Sequence, residues 1–271
     1  AALQAVREAM VDGVTTLELD EIADSTIRGM GAHSNFQLVA GYHHTICASI
    51  NDEIVHGIPS KNRVLRAGDI VSIDAGAEID GWNGDSAITV IVPDANGQLP
   101  DTPQVRARQK LSEITEASLW RGIAAFASAE HLNDVGIAIE KYVRSQGSFG
   151  ILEEYVGHGI GRSMHEDPPV FNYRVRDAGP KVVAGLVIAI EPMVTGGSAR
   201  TKVLADGWTV SAKDGSDASH WEHTVAVTDD GRGIDPGVAG ASRLSAGCGS
   251  GAGTAAPGRK APACPGQTAA S

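Results

Sequence analysis

The spacing of apolar residues along the first thirty positions predicts two helices. Residues 1–12 show a helical pattern that Gly13 ends. Thr15 and Glu18 then have the spacing of a capping box, in which each side chain accepts a hydrogen bond from the other residue's backbone N–H. The second helix stops in the segment 29–31, and its apolar face consists of Leu19, Ile22, Ala23, Ile27 and Met30.

The same reading along the rest of the chain predicts strands, a second pair of helices, and more strands. Residues 93–104 contain three prolines and predict a loop, and helical patterns then cover about 105–128 and 130–146. Apolar or β-branched runs predict strands at 46–50, 69–75, 74–79, 82–92, 152–156, 182–194 and 221–228. This order predicts an α+β domain whose second half repeats the first with internal pseudo-symmetry.

A β-hairpin is predicted around Asp80-Gly81, a dipeptide typical of two-residue type I′ turns. In the resulting register Asp74 faces Ala87, which lies two residues beyond Asp85. Asp74 and Asp85 therefore share a face as diagonal neighbours, about 7–8 Å apart at the backbone, and both side chains can reach one ion. The alternative is a pair of carboxylates on a solvated face of the sheet.

Three further residues extend this candidate site. His158 lies among the glycines of the segment 157–161, Glu191 ends an apolar run, and Glu222 lies in a strand-like segment. Each alone also fits a glycine-rich turn or a surface carboxylate at a strand end. Together with the two aspartates they contribute four negative charges, which two divalent cations balance. Mixed carboxylate and imidazole ligands suit Mn, Fe, Co or Zn, and a pair of such ions about 3.5–4 Å apart activates water for hydrolysis.

Composition limits the other classes of function. The net charge of -11 argues against nucleic acid as a partner, because neutralising phosphates requires clustered Lys and Arg. No run of 18 apolar residues predicts a membrane span, and no signal peptide is visible. The three cysteines, Cys47, Cys248 and Cys264, form neither a disulfide framework nor a zinc pair, so we expect a reducing, cytoplasmic setting. Because the chain begins as if within a helix, we also expect the natural N-terminus to be missing.

The C-terminal segment differs in composition from the rest. Of the 35 residues 237–271, 27 are Gly, Ala, Pro, Ser or Thr, so this segment cannot bury enough apolar surface to offset its ordering entropy. We therefore expect a catalytic domain at 1–236 and a low-complexity, disordered tail at 237–271.

Five segments, in order from about residue 1 to 230, resemble the methionine aminopeptidases. They are Asn51–Pro59, Asp74 with Asp85, the Gly157–Gly161 loop with His165-Glu-Asp-Pro, Ile190-Glu-Pro-Met, and Trp221-Glu-His-Thr. The resemblance implies the pita-bread fold, an α+β domain with two pseudo-symmetric halves. It also implies removal of the N-terminal methionine from peptides and nascent proteins by a metal-activated hydroxide. No insertion separates His165 from Glu191, which is typical of bacterial type 1 members.

The resemblance further implies a role for each ligand. Asp74 would bind one metal through both oxygens, Asp85 and Glu222 would bridge two divalent ions (Co, Mn, Fe or Zn), and His158 and Glu191 would complete the second site.

Other residues would act on the substrate. His165 would stabilise the oxyanion, His56 would contact the substrate near the scissile amide, and Glu191 would transfer protons. The methionine pocket would be lined by Tyr42, Cys47, Met164 and Trp208.

Some features depart from the family's pattern. The segment 41–47 looks shortened, Met164 stands where an aromatic residue is common, and the loop 93–104 looks long. The expected partners are peptides with an N-terminal methionine and nascent chains, including those at the ribosome, and we expect a monomer in the cytoplasm that binds neither nucleic acid nor membrane.

Two alternatives remain open at this point. One is an Xaa-Pro dipeptidase or aminopeptidase of the same fold, although those enzymes usually carry a large additional N-terminal domain. The other is a pseudoenzyme that binds a partner, which the presence of all five candidate ligands argues against.

Deleting residues 237–271 is expected to leave the melting temperature and peptide turnover almost unchanged, because the segment lacks core-forming residues. Thermal unfolding and steady-state kinetics of the truncated chain test this. A large loss of stability would show instead that the segment docks on the domain.

Overall fold

The computed structural model describes residues 1–228 and 234–235, and the predicted tail at 237–271 and its boundary near 236 lie outside these residues. The four α-helices are α1 Ala2–Ala9, α2 Thr16–Gly29, α3 Pro103–Phe126 and α4 Asp134–Gln146, with a short 3-10 helix at Phe36–Leu38. The strands are β1 His33–Ser34, β2 Ile46–Ile50, β3 Glu53–Val55, β4 Ile70–Ile79, β5 Trp82–Ile91, β6 Gly150–Ile151, β7 Gly157–Gly159, β8 Glu166–Val170, β9 Val187–Ile190, β10 Met193–Thr195, β11 Thr201–Val203, β12 Val210–Ala212, β13 Ala218–His220, β14 Glu222–Val227 and β15 Ile234–Asp235.

All four predicted helices are present, although α1 ends at Ala9 instead of residue 12 and α4 begins at Asp134, four residues later than predicted. Side-chain caps set the starts of α2 and α3. At α2 the predicted capping box is present, with the Thr15 hydroxyl accepting from the Glu18 N–H and the Glu18 carboxylate accepting from the Thr15 N–H. Helix α3 begins two residues earlier than predicted. The Thr102 hydroxyl caps it by accepting from the Val105 N–H at 3.1 Å, and a proline fits the first helical turn because no hydrogen-bond partner is needed there.

One nine-stranded sheet organises the domain, and its central path runs β2-β4-β5-β14-β9-β7 with antiparallel pairing throughout. The boundary between β5 and β14 divides this path into two halves of three strands, β5-β4-β2 and β14-β9-β7. Along the chain, α1 and α2 precede the first set, and α3 and α4 precede the second. The predicted pseudo-symmetry is therefore confirmed. Helices α1 and α3 cover one face of the sheet, where Ile73, Ile88, Ile190 and Val225 join the main hydrophobic core.

Two three-stranded sheets flank the other face, in the orders β13-β10-β6 and β11-β12-β3. They enclose a second apolar cluster that includes Ile54, Leu152, Met193 and Val210. Within the described part of the chain, no helix is long and apolar enough to cross a membrane.

Two strand predictions are wrong in their extent. Residues 152–156 form no strand, because the chain there crosses from β6, which pairs with β10, to β7, which pairs with β9 in the large sheet. The predicted strand 182–194 is two shorter strands, β9 and β10, that belong to different sheets. Pro192 lies between them, and proline has no N–H to donate to a ladder.

The predicted hairpin is confirmed in both its turn and its register. Asp80 and Gly81 have φ angles of 53° and 75°, the left-handed pair that a type I′ turn requires. Asp74 pairs with Ala87, as the two-residue turn predicts.

The glycines on either side of His158 permit β7 to lie close against its neighbours. A Cβ atom at Gly157 would lie 2.2 Å from the carbonyl oxygen of Ala189, and one at Gly159 would lie 2.2 Å from that of Asp167. Backbone atoms cannot move aside as a flexible side chain can. The glycines therefore set the depth at which the His158 side chain enters the site.

Replacing Gly157 with alanine is expected to lower the free energy of unfolding by about 1–3 kcal/mol, because the added methyl group overpacks a backbone contact. Gly84→Ala on β5 is the matched control, since no atom lies within 4 Å of the added Cβ. It is expected to raise stability by about 0.5 kcal/mol through lower unfolded-state entropy. Urea denaturation in the presence of a chelator measures both; equal stabilities for the two variants would contradict the close approach of β7 to β9.

Candidate metal centre

The sheet face that is turned away from the core carries the candidate ligands in two rows across the strands. Asp74 on β4 pairs with Ala87 on β5, and Ala87 pairs with Glu222 on β14. Directly opposed residues share a face, so the Asp74 and Glu222 side chains flank Ala87 on the same side of the sheet. The small methyl group of Ala87 leaves space between the two carboxylates.

Asp85 occupies the adjacent row, two residues before Ala87 on the same face. Its backbone is fixed by Thr224 on β14, whose hydroxyl accepts from the Asp85 N–H at 2.9 Å and donates to the Asp85 carbonyl at 2.8 Å. These two hydrogen bonds tie β5 to β14 at the candidate ligand Asp85. Asp85 therefore has a fixed position relative to Glu222.

His158 and Glu191 bring the second half of the chain to the same place. Glu191 directly follows β9, and its Oε1 lies 3.7 Å from Nε2 of His158 on β7. One ligand atom each from Asp85, His158 and Glu222 lie within 4.8 Å of one another, and so do atoms from Glu191, His220 and Glu222. Among the described residues Asp74 belongs to neither group, although it neighbours Asp85.

Burial isolates these acids from water. Asp85, Glu191 and Glu222 are buried, and Asp74 is partly exposed as a residue, but its Oδ1 is inaccessible. Within residues 1–228 and 234–235, neither Asp74 Oδ1 nor Glu222 Oε1 has a hydrogen-bond partner. An unpaired buried carboxylate oxygen is costly, so the cluster requires a proton or a cation there.

The same burial raises the pKa of each of the four carboxyl groups. Loss of hydration is the main cause in all four. The charge of Asp85 adds to it for Asp74, Glu191 and Glu222. Protons therefore compete with metal ions for these oxygens, and divalent cations fit the donor set because they replace the protons with a larger positive charge.

His158 is oriented as a ligand. Its Nδ1 lies 2.9 Å from the carbonyl oxygen of Gly159, which fixes the proton on Nδ1 and leaves the lone pair on Nε2 facing the carboxylates. Burial lowers its pKa to about 4, so the ring is neutral at neutral pH.

The two other predicted histidines lie beside this cluster. The ring centroid of His165 is 4.4 Å from that of His158, and Met164 and His165 border a cavity of about 360 Å³. His56 has a left-handed φ of 59°, which costs a residue with a Cβ about 1 kcal/mol or more. Its Nδ1 is buried without a partner, and burial with the nearby His165 charge lowers its pKa to about 4.

The four predicted pocket residues also come together. Tyr42 and Cys47 are buried with Phe36 in a separate apolar cluster, against which Met164 and Trp208 pack. The Tyr42 and Trp208 ring centroids are 5.2 Å apart, and the Tyr42 hydroxyl donates to the Ile46 carbonyl at 2.6 Å. Cys47 pairs with Asp74 across β2 and β4, which places the apolar cluster next to the candidate ligands.

The histidines without a predicted role have different surroundings. His44 lies 3.1 Å from buried Asp20, and His223 lies on the helix-covered face with its ring against Trp120. His220, which the sequence analysis does not single out, belongs to the candidate centre. It lies two residues before Glu222, and this spacing is the one sequence signal that marks it.

Comparison with known proteins places this geometry in a family. The profile of metallopeptidase family M24 matches residues 1–229. Methionine aminopeptidase 1 of Mycobacterium tuberculosis is 53% identical over 236 residues, 85% of each chain, and methionine aminopeptidase 1 of Bacillus subtilis is 44% identical over 219 residues, 81% of this chain and 84% of its own.

Solved structures agree. A methionine aminopeptidase from Thermotoga maritima superposes with a TM-score of 0.79 at 36% identity, over 86% of this chain and 89% of that one. An Xaa-Pro dipeptidase from Bacillus anthracis shares the fold at a TM-score of 0.62, but with 21% identity and over 56% of its length. The higher identity and coverage of the methionine aminopeptidases therefore favour that interpretation over an Xaa-Pro dipeptidase or aminopeptidase. The chain belongs to metallopeptidase family M24 and, within it, to the methionine aminopeptidases.

Proposed function

We propose that the methionine aminopeptidase activity of this chain depends on a two-cation centre held by Asp74, Asp85, His158, Glu191 and Glu222. The observation that carries the proposal is the buried cluster of four carboxylates and one oriented imidazole, in which two oxygens lack a partner. Two divalent cations neutralise four carboxylates. Asp85 and Glu222, on the paired central strands, would hold the cations from the middle of the cluster, with Asp74 on one side and His158 with Glu191 on the other.

When bound, the cations polarise the scissile carbonyl and activate water. Mixed carboxylate and imidazole donors suit Mn, Fe, Co or Zn. Glu191 holds and passes a proton, because it is buried beside the ligands. His165, at the open side of the site, donates to the oxyanion, and His56 contacts the substrate near the scissile amide through its unpartnered buried ring.

The apolar cluster around Tyr42 and Cys47 receives the methionine side chain. Its rings, thiol and thioether suit an unbranched, polarisable side chain. The pairing of Cys47 with Asp74 places such a side chain next to the cations, so the first peptide bond of the substrate falls at the ligands. A substrate bound in this way has its free α-amino group at the same place, so the site selects the N-terminal residue of a peptide.

The physiological substrates follow from this chemistry. We infer that they are peptides and nascent chains that begin with methionine, processed in the cytoplasm by a monomer. The methionine aminopeptidases among the relatives support the substrate class in this inference.

Asp85→Asn is expected to reduce turnover to near background and to weaken cation retention, because a bridging carboxylate loses its charge without changing shape. Asp101→Asn is the matched control, since the Asp101 side chain is 88% exposed and lies in the loop before α3. Hydrolysis of a Met-Ala-Ser peptide and metal analysis after dialysis measure both variants. Wild-type turnover in Asp85→Asn would remove Asp85 from the centre.

His165→Ala is expected to lower turnover by roughly 10²–10³-fold while leaving metal content and KM nearly unchanged, because an oxyanion donor acts mainly in the transition state. His158→Ala is expected to lose cation affinity together with rate, because it removes a direct ligand.

Metal stoichiometry and steady-state kinetics on both variants distinguish the two roles. If His165→Ala lost metal while His158→Ala kept it, the two histidines would exchange roles. If neither variant lost activity, the proposed centre would be wrong.

A further inference from the structure

His220 is held rigidly at the edge of the metal centre. It is the last residue of β13 and is 2% exposed. Its backbone N–H donates to the hydroxyls of Ser72 and Thr89, each at 3.1 Å, and its carbonyl accepts from the Thr89 hydroxyl at 2.7 Å. These bonds fix the main chain of His220 against strands β4 and β5, and burial limits the space into which its imidazole can turn.

The Nε2 atom of His220 is enclosed by two of the proposed ligands. It lies 3.6 Å from Oε2 of Glu191 and 3.9 Å from Oε2 of Glu222, and it has no hydrogen-bond partner in the part of the chain that the structure describes. His158 approaches the other oxygen of Glu191, with its Nε2 3.7 Å from Oε1. The Glu191 carboxylate thus has one imidazole nitrogen on each side at nearly equal distance.

These separations fit shared coordination better than hydrogen bonding. An N–H···O hydrogen bond spans about 2.7–3.2 Å, which is shorter than both contacts of His220. Two donors bound about 2.1 Å from one cation are separated by roughly 3.5–3.9 Å when they subtend angles of about 115–135° at the ion. The three ligand atoms of Glu191, His220 and Glu222 also lie within 4.8 Å of one another.

The ring has a coordination position available. The His220 side chain is buried beside two carboxylates, and its Nε2 has no hydrogen-bond partner among the described residues. A cation between these groups would give that nitrogen a partner.

We propose that His220 is a sixth protein ligand of the metal centre, binding through Nε2 on the side of Glu191 and Glu222. The proposal rests on the two-cation centre proposed above. A second imidazole shifts the donor set from one nitrogen to two, which favours Fe, Co and Zn over Mn. His220 thereby influences which cation the enzyme retains.

Proton NMR of the cobalt-loaded protein tests the proposal. Bound Co²⁺ shifts the imidazole N–H resonance of each coordinated histidine far outside the normal proton range. Purified apoprotein is titrated with Co²⁺, and the shifted signals that disappear in D₂O are counted. The wild type is expected to show two such signals. His220→Gln and His158→Gln are each expected to show one, and His223→Gln, whose ring faces α3 instead of the ligands, is expected to keep both.

Calorimetric titration of Co²⁺ gives a second readout that does not depend on activity. His220→Gln is expected to weaken Co²⁺ binding on the side of Glu191 and Glu222 by about 100-fold. Changes to residues that only support a metal ligand reach this size at most, and a direct ligand is expected to match it. Glutamine keeps an amide N–H that can bond to the carboxylates, so a role confined to positioning them would leave the affinity near wild type.

The outcomes separate the two proposals. One histidine signal in the wild type, with normal cobalt binding, would overturn ligation by His220 and leave the two-cation centre intact. Failure of the wild type to bind cobalt at all would overturn both. Melting temperatures of the metal-free variants show whether each has folded.

Discussion

Four carboxylates buried in one cluster are the constraint that the rest of the structure satisfies. Two negative charges about 4 Å apart repel by roughly 4 kcal/mol at an effective dielectric constant of 20, and the four carboxylates repel one another by amounts that depend on their separations. Without metal, protonation relieves both this repulsion and the loss of hydration, which is the main cause of the raised pKa values of Asp74, Asp85, Glu191 and Glu222. Divalent cations relieve the same repulsion while keeping every carboxylate ionised. Binding of metal and stability of the fold are therefore linked at this one place.

The sheet is what makes the cluster possible. Carboxylates from separate parts of the chain reach one point only if their strands pair in a fixed register, and one residue of slippage would turn each side chain to the helix-covered face. The Thr224 hydroxyl bonds to both backbone groups of Asp85, and Gly157 and Gly159 let β7 lie close to β9 and β8, respectively. Register and spacing are thus fixed beside the ligands by contacts that serve no chemical role themselves.

Sequence alone predicts the part of this geometry that is local. The positive φ preference of Asp80-Gly81 fixes a two-residue turn, and the turn fixes the relation of Asp74 to Asp85. The pairing of Glu222 with Ala87 spans more than 130 residues, and no local preference encodes it. Before the structure, charge balance and ligand chemistry group these residues as candidates, and the resemblance to known enzymes implies that they share one site. The wrong strand at 152–156 has a related cause, because an apolar run does not indicate which of two sheets it will join.

His220 shows the same limit at a single residue. Its two-residue spacing from Glu222 suggests one continuous strand with both side chains on one face. In the structure β13 and β14 belong to different sheets, and the side chains meet because the chain changes sheet at Trp221. Tertiary packing, not strand alternation, brings this imidazole to the carboxylates.

The pseudo-symmetry of the sheet gives a reason why the candidate metal centre and the proposed substrate pocket lie side by side. A two-fold axis between Ser86 and His223, which pair across the seam, exchanges β5 with β14 and β2 with β7. With the axis there, the strand registers relate Asp85 to Glu222, and Cys47 to His158. Each half thus has a carboxylate on its central strand. The outer strands differ, because β7 carries an imidazole beside the carboxylates, whereas β2 carries a buried thiol in an apolar cluster. In the proposed centre, one half therefore supplies His158 as a ligand, and the equivalent position in the other half lines the proposed methionine pocket.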